Sequence, residues 1–466
     1  MRRFYAGLTP DRRGELLNIK IPLRIVIYLA LIAVLTALPG AAKADVLFSY
    51  GFNARGIALG GATSAQVKDF GVAYYNPAGG VFFEYPTAGV GYMKTGNWLD
   101  THHGEPADLD STEGLVFGAV LPLPFGSWLE NRLAIGFATF MPNNIFVALD
   151  VPYGSVPQYA LWRNSGRQMT ILPTLALRLH DAISIGGGAQ LFSNTNGEIN
   201  AIIGANDDVQ TLTGQEVSTS FAQTYGLMLR PGKLWESFTG WSMGFVFREE
   251  FWMHYRIPIN TYLGSTPLTM IFDATSIYTP RQWTTGISYE NEAAGFLAEV
   301  DASYNEWRKF PDPNLYVDVE FTIPLLDVVF QDSEEIDPDF HDTVTVRAGV
   351  EQRLYDTPST GLVGQLGYYF DPSPVPAQTG STNYLDTDRH VGSAGLGFQL
   401  DRIGDYHFIG PLTIQSFYQL HYCVPRMFYK DESVSADNPG YPKIDVGGWI
   451  WAAGINVSVF FEYDTE

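Results

Sequence analysis

The sequence predicts an all-β, antiparallel transmembrane barrel, and three observations carry that prediction. Beyond an amino-terminal leader, segments of about ten residues alternate apolar and polar side chains, separated by turn residues and longer polar loops. No later stretch approaches the roughly 18 unbroken apolar residues of a spanning helix. Cys423 is the only cysteine, so neither an internal disulfide nor a cysteine-based metal cage is available to stabilise the chain. A closed barrel needs neither, because every backbone donor and acceptor pairs with a neighbouring strand and no edge is left. Aromatics at 14% and 47 glycines suit strands that set Tyr, Trp and Phe at a membrane interface.

Residues 1–44 are expected to be a cleaved signal peptide. Arg2, Arg3, Arg12, Arg13, Lys20 and Arg24 make a basic leader, residues 25–38 form an apolar run too short to span comfortably, and Ala42-Lys43-Ala44 has the small-residue pattern of a cleavage site. What remains has 21 basic and 48 acidic residues, a balance that excludes nucleic acid as a partner.

Residues 45–80 are rich in Gly and Ala and poor in alternation, which fits a compact plug, or hatch, better than a membrane strand. Phe48, Tyr50 and Phe52 stand near its start, where they either pack the plug or touch a ligand. Its last turn is Ala73-Tyr74-Tyr75-Asn76-Pro77-Ala78-Gly79-Gly80. Asn76 can bond its own backbone, Pro77 fixes φ and removes a donor, and Gly79-Gly80 permits a tight reversal.

Residues 81–466 read as the barrel. Strands are expected near 82–97, 113–123, 131–149, 167–180, 182–193, 219–231, 239–257, 281–290, 295–306, 342–355, 361–370, 391–402, 411–422 and 447–463. Around residue 300, Phe296, Ala298, Val300, Ala302 and Tyr304 share one face and Glu299, Asp301, Ser303 and Asn305 the other. The apolar set is expected to face lipid. Val344, Val346, Ala348 and Val350 likewise oppose Thr343, Thr345, Arg347, Gly349 and Glu351, with Arg353 continuing the polar row. In the last strand Trp449, Trp451, Ala453, Ile455, Val457, Val459, Phe461 and Tyr463 form one face. His180-Asp181 and 291–295 are short turns, whereas 194–218, 307–341, 371–390 and 423–446 are long loops expected to face outward. The acidic run from Gln331 to Asp342 lacks calcium-loop spacing and reads as solvated.

Four places carry a resemblance to the FadL-type outer-membrane transporters of long-chain fatty acids and other hydrophobic compounds. They are the Gly-Ala-rich segment with Asn76, Pro77, Ala78 and Gly79; Ile171-Leu172-Pro173-Thr174-Leu175-Ala176 followed by Ile183-Ser184-Ile185-Gly186-Gly187-Gly188; Asp301-Ala302-Ser303-Tyr304-Asn305-Glu306-Trp307; and Gly367-Tyr368-Tyr369-Phe370-Asp371-Pro372-Ser373-Pro374-Val375-Pro376 with Asp386-Thr387-Asp388-Arg389-His390. The resemblance implies a 14-stranded antiparallel transmembrane β-barrel with a small amino-terminal hatch in its lumen, and the segments above make that number. Leu172 replaces the family's usual Asn. Pro142, Asn143 and Asn144 stand where the family's third strand has Pro-Phe-Gly or Pro-Tyr-Gly, and Asp464-Thr465-Glu466 follow the final aromatic.

Function follows from the same resemblance as an expectation: passive passage of a hydrophobic small molecule or lipid, with no cofactor and no metal, in contact with outer-membrane lipid and lipopolysaccharide after insertion by the outer-membrane assembly machinery. Phe48 and Phe52 are pocket candidates by analogy with family members whose amino terminus lies beside ligand, and Arg347 and Arg353 are candidate partners for a carboxylate. Pro142 cannot donate to a ladder, so Pro142-Asn143-Asn144 is a candidate lateral exit. The competing readings are a general porin, which predicts an open charged constriction, and a lipid-acting enzyme. Gly240-Trp241-Ser242-Met243-Gly244 matches a nucleophile elbow but opens an amphipathic strand with no helix after it. His102-His103 with Glu105 is a weak metal candidate. No phosphate-cradling Gly loop is present, so nucleotide-driven movement is not indicated.

Overall fold

The computed structural model describes residues 20–22 and, from residue 46 onward, all but 102–106, 108, 110, 126–131, 144–153, 163–168, 204–208, 264–265, 313–315, 322–336, 404–405 and 465–466. The proposed cleavage site, the His102-His103-Glu105 group and most of the acidic run lie outside the described residues. Of the leader only Lys20–Pro22 is described, alongside Glu462–Asp464.

Fourteen strands form the closed wall: β1 (Thr87–Asp100), β2 (Glu113–Pro122), β3 (Leu133–Pro142), β4 (Thr170–His180), β5 (Ile183–Ile203), β6 (Val209–Leu229), β7 (Trp241–Arg248), β8 (Arg281–Asn291), β9 (Phe296–Glu306), β10 (Thr343–Asp356), β11 (Thr360–Asp371), β12 (Arg389–Ile403), β13 (Tyr406–Tyr429) and β14 (Lys443–Phe460). Each pairs antiparallel with the next, and β14 closes onto β1 from Gly447↔Asp100 to Phe460↔Thr87. Every one falls on a segment expected from the sequence.

The alternation sorts side chains as the pleat requires. Glu299, Asp301, Ser303 and Asn305 are buried while Val300 and Tyr304 are exposed on the outer face. On β10, Val344, Val346 and Val350 are exposed and Thr343, Thr345 and Glu351 are buried. Phe461 follows the last strand and lies over Leu121.

Three departures concern the upper rim. Strands β13 and β14 stay paired out to Tyr429↔Lys443, inside the loop expected over 423–446. Residues 194–218, expected as a loop, continue the β5–β6 ladder out to Ile203↔Val209. Strand 239–257 ends at Arg248, and a hairpin of Phe251–Leu263 with Thr266–Thr279 stands between β7 and β8, with Tyr316–Phe321 added along it. The β5–β6 extension was hidden because residues 194–218 are mostly polar and show no period-two hydropathy. The hairpin was merged and not hidden: Phe251, Met253, Tyr255, Ile257 and Ile259 alternate, so their strand read as a continuation of Trp241–Arg248 across Glu249-Glu250.

Residues 46–82 lie within the wall. They form α1 (Val46–Tyr50), α2 (Ala54–Ala58), α3 (Val72–Tyr75) and a 3-10 turn over Pro77–Phe82. Such short helices are not stable alone; here Phe52, Ile57, Phe70 and Val72 are all but fully buried.

Candidate functional site

The hatch turn is built around Asn76, which is completely buried. Its Oδ1 accepts from Ala78 N at 3.1 Å, capping the 3-10 turn, with Pro77 at the first position where no donor is needed. Its Nδ2 donates to Ser64 O at 2.7 Å and to Leu227 O of β6 at 3.3 Å. Ser184 Oγ of β5 donates to Ala78 O at 2.8 Å. One side chain therefore joins the turn to the rest of the hatch and to the wall.

The wall answers the hatch with carboxylates. Asp301 Oδ2 accepts from Thr63 N and Ser64 N at 3.1 and 3.0 Å, and Glu299 Oε1 accepts from Ala65 N at 2.6 Å. These amides have no partner in a helix or sheet, so without the wall they would be orphaned donors. Arg55 Nε meets Glu351 Oε2 at 2.7 Å, with both side chains largely buried, and Lys68 Nζ meets Glu290 and Glu351 at 2.7 and 3.3 Å. Inward acids on β8, β9 and β10 are thus explained by what they hold.

Close approach needs bare backbone. A Cβ on Gly367 would lie 2.1 Å from Gly60 N, and one on Gly186 would lie 2.4 Å from Ala78 N. These glycines pair across strands, Gly186↔Gly226, Gly244↔Gly286 and Gly349↔Gly367, so they form a girdle at the level of the hatch. The signal was available as glycines on inward positions of successive strands; the sequence reading named Gly186, Gly349 and Gly367 within motifs and a polar row but not as places of close backbone approach.

Between α1, the hatch and β7–β11 lies a cavity of about 40 Å³, lined by Leu47, Phe48, Tyr74, Arg248, Asp301 and Arg347 among others. That is room for about three waters. Arg347 reaches it with its guanidinium 4.2 Å over the Tyr369 ring, donating to Gly60 O at 3.3 Å. Arg248, which sequence reasoning missed, comes from β7, with its guanidinium 4.4 Å over Tyr74 and a 2.5 Å bond to Gln282 Oε1. Phe48 packs edge-on against Trp307 at 5.7 Å, and Trp307 continues to Phe310 and Phe340, a row of rings from the outer loops to the cavity.

The other candidates are placed elsewhere. Phe52 is fully buried against Phe70 and Tyr74 and does not line the cavity. Arg353 sits at the short-turn end with Asp356 at 3.2 Å, and Gly295 carries its backbone bond. Pro142 is the last residue of β3, in unbroken register with Gly114, and Asn143 N still donates to Glu113 O at 2.9 Å; Asn144 lies outside the described residues. On its other side β3 pairs with β4 only as far as Phe140↔Thr170. The hatch turn packs near the opposite end of the same strands, where Gly80 faces Ala134 and Ala176, so about 25 Å of strand separates Asn76 from Pro142 at 3.3 Å per residue.

A family model described as Outer membrane protein transport protein (OMPP1/FadL/TodX) matches residues 33–405. The chain belongs to this family. Its fold is shared by the crystal structure of a Pseudomonas aeruginosa FadL homologue, 12% identical over 91% of this chain and 100% of that one with a TM-score of 0.56. It is shared also by the P. putida toluene transporter TodX, 11% identical over 89% and 100% with a TM-score of 0.51. No curated protein matches the chain.

As a FadL/TodX-family protein the chain is an outer-membrane transport channel and not an enzyme. Ser242 accordingly lies buried in wall strand β7 and not at a strand-to-helix turn. The resemblance motifs acquire physical roles. Asp301 holds hatch amides. Arg389 bonds Asp371 and Asp386, and Asp388 accepts from Ser373 N at 2.8 Å, so the loop between β11 and β12 is tied down beside Trp162. Burial pushes the Asp386 carboxyl above its ordinary range, and Arg389 counters it. In the second motif Pro173 leaves the β4–β5 ladder unpaired between Ile171↔Leu191 and Thr174↔Gly188.

Proposed function

We propose that this channel passes hydrophobic molecules passively, that residues 46–82 gate it, and that cargo leaves sideways through the wall at β3–β5. The carrying observation is the cavity: at about 40 Å³ it admits no hydrocarbon chain, yet it joins apolar Leu47 and Phe48 to Arg248 and Arg347, for which the described contacts include no ion pair. Passage therefore requires the hatch to move. Two guanidiniums beside an apolar wall favour an amphiphile with a carboxylate, such as a long-chain fatty acid, over a neutral hydrocarbon. The row Phe340, Phe310, Trp307 and Phe48 supplies its approach from outside.

Support for the exit comes from the ladder. Met141 and Pro142 extend beyond the β3–β4 pairing, and Pro173 interrupts the β4–β5 pairing, so these adjacent seams are weaker than their neighbours. Because Asn76 lies at the far end of β3, the hatch acts on the exit by unblocking the lumen and not by touching Pro142. Replacement of Pro142-Asn143-Asn144 by Thr-Val-Thr tests this, with uptake of a labelled fatty acid measured in cells with equal surface amounts. A loss of uptake is expected; the original rate would sink lateral exit. Equal binding of fatty acids and neutral hydrocarbons by the purified protein would overturn the carboxylate preference.

A further inference from the structure

The connection between β6 and β7 has no role in the channel described above. It folds as two 3-10 turns, Pro231–Lys233 and Glu236–Phe238, and presents Leu234, Trp235 and Phe238 at 48%, 60% and 49% exposure. This is a built surface. Leu234 N and Trp235 N both donate to Pro231 O at 2.9 Å, Phe238 N donates to Trp235 O at 3.0 Å, and Thr239 Oγ1 donates to Glu236 O at 2.7 Å. A Cβ on Gly232 would lie 2.6 Å from Phe238 O, so the two turns pack closely. Trp235 and Phe238 meet edge-on at 6.3 Å. The base is fixed as well: Arg230 N donates to Ala182 O at 2.8 Å, and its guanidinium sits 3.4 Å over the Phe82 ring.

Three other short connections at this end carry small or polar residues, at Asp181, at Asn291 to Gly295 and at Thr357 to Ser359; the β2–β3 connection at the same end exposes one ring, Phe125 at 48%. Here three large apolar side chains are held outward by satisfied backbone, an arrangement unfavourable in water. The turn also runs directly into the lipid-facing surface. After Gly240, Trp241 is 38% exposed on the outer wall and packs on Tyr289 at 5.2 Å. Short turns mark the periplasmic end of such barrels, so this surface lies at the level of the inner leaflet.

We propose that residues 231–239 form an interfacial foot seated in the headgroup and acyl boundary of the phospholipid leaflet. Trp235, Phe238 and Leu234 enter the boundary, and the Lys233 ammonium meets lipid phosphate, the amphipathic composition that favours such depth. The foot fixes the rotation and height of the β6–β7 corner, to which Asn76 is bonded through Leu227.

Site-directed spin labels on the full chain in phosphatidylethanolamine and phosphatidylglycerol vesicles test the proposal. Labels go on Trp235→Cys, Phe238→Cys and, leaving all three apolar residues in place, Ser237→Cys; Cys423 is buried and stays unlabelled. Ala293→Cys on the exposed β8–β9 turn is the aqueous reference. The expected reading is a gain in oxygen collisions and a loss of nickel-complex collisions at 235 and 238 relative to 293, with 237 intermediate. Nickel access at 235, 237 and 238 equal to that at 293 would place the turn in water and overturn the proposal. Loss of both collision types would indicate a protein partner or second copy, and would overturn it equally.

Discussion

Replacing Asn76 by Ala removes three hydrogen bonds from a side chain with no solvent access. Leu227 O keeps its place in the β5–β6 ladder, where Leu227 pairs with Ile185, but Ala78 N and Ser64 O lose their side-chain partner. A buried neutral group left unsatisfied costs about 1–3 kcal/mol, so two of them, taken at about 1.5 kcal/mol each, weaken the docking of the hatch by about 3 kcal/mol. At 1.4 kcal/mol per decade that is roughly a 100-fold rise in the opening constant. Hydrogen exchange followed by mass spectrometry reads it directly. Amides of residues 56–82 are expected to exchange roughly 100-fold faster, while those of β8 and β9 keep their protection and heat-modifiable mobility is unchanged. Asn76→Asp retains the cap on Ala78 N but sets a buried carboxylate oxygen against Ser64 O and Leu227 O, and is expected to loosen the hatch at least as much as Asn76→Ala. Unchanged hatch protection in a well-assembled Asn76→Ala barrel would refute the reasoning.

Gly367→Ala places a methyl 2.1 Å from Gly60 N; the expected outcome is a displaced hatch that proteases reach from the periplasmic side, with normal barrel assembly. Glu351→Gln leaves Arg55 buried without its charge partner, and loss of one member of such a pair costs about 3–5 kcal/mol, read as a lower temperature of hatch exchange or unfolding in detergent. Arg248→Met with Arg347→Met is expected to weaken binding of a long-chain carboxylate by at least about tenfold, since a hydrogen bond to a charged group contributes about 1.5–3 kcal/mol, while binding of a neutral hydrocarbon stays within about twofold. Equal losses for both ligands in a calorimetric titration would remove the arginines from ligand recognition.

How much of this was legible in the sequence depends on which solvent each residue meets. All fourteen wall strands were visible because each must show lipid an apolar face and the lumen a polar one, as Val300 against Asp301 does. The rim ladders were read less well: residues 194–218 show no alternation, and Phe251–Leu263 alternates so clearly that it read as a continuation of β7. Asn76 and Pro77 were legible as a turn, since local backbone chemistry alone gives them that role. Arg248 was invisible as a site residue: it ends an ordinary strand, and only the pairing of β7 through β10 brings it to the cavity that Arg347 also lines. Arg353, two positions beyond Glu351 on the same polar row, is placed away from the cavity for the converse reason. Alternation tells which face a side chain takes but not its height, and Arg353 lies at the rim.

If residues 46–82 gate the channel as proposed, height also decides how they can work. The contacts that hold the hatch to the wall are directional: carboxylates on backbone amides, glycine pairs against glycine, and one Asn bridging turn and strand. Apolar packing fades gradually as a plug slides, whereas a hydrogen bond is lost over a fraction of an ångström, so the closed position is a discrete state. On that proposal opening must free Thr63, Ser64 and Ala65 from β9 while returning water to Asp301 and Glu299, which offsets much of the loss. A cargo molecule with a carboxylate adds a further term, because it competes with Asp301 in the field of Arg347 and Arg248 around the same cavity. An anionic cargo would thereby favour the open state by the mere difference in its interaction with the two positions of the hatch, and a neutral hydrocarbon would have no such lever.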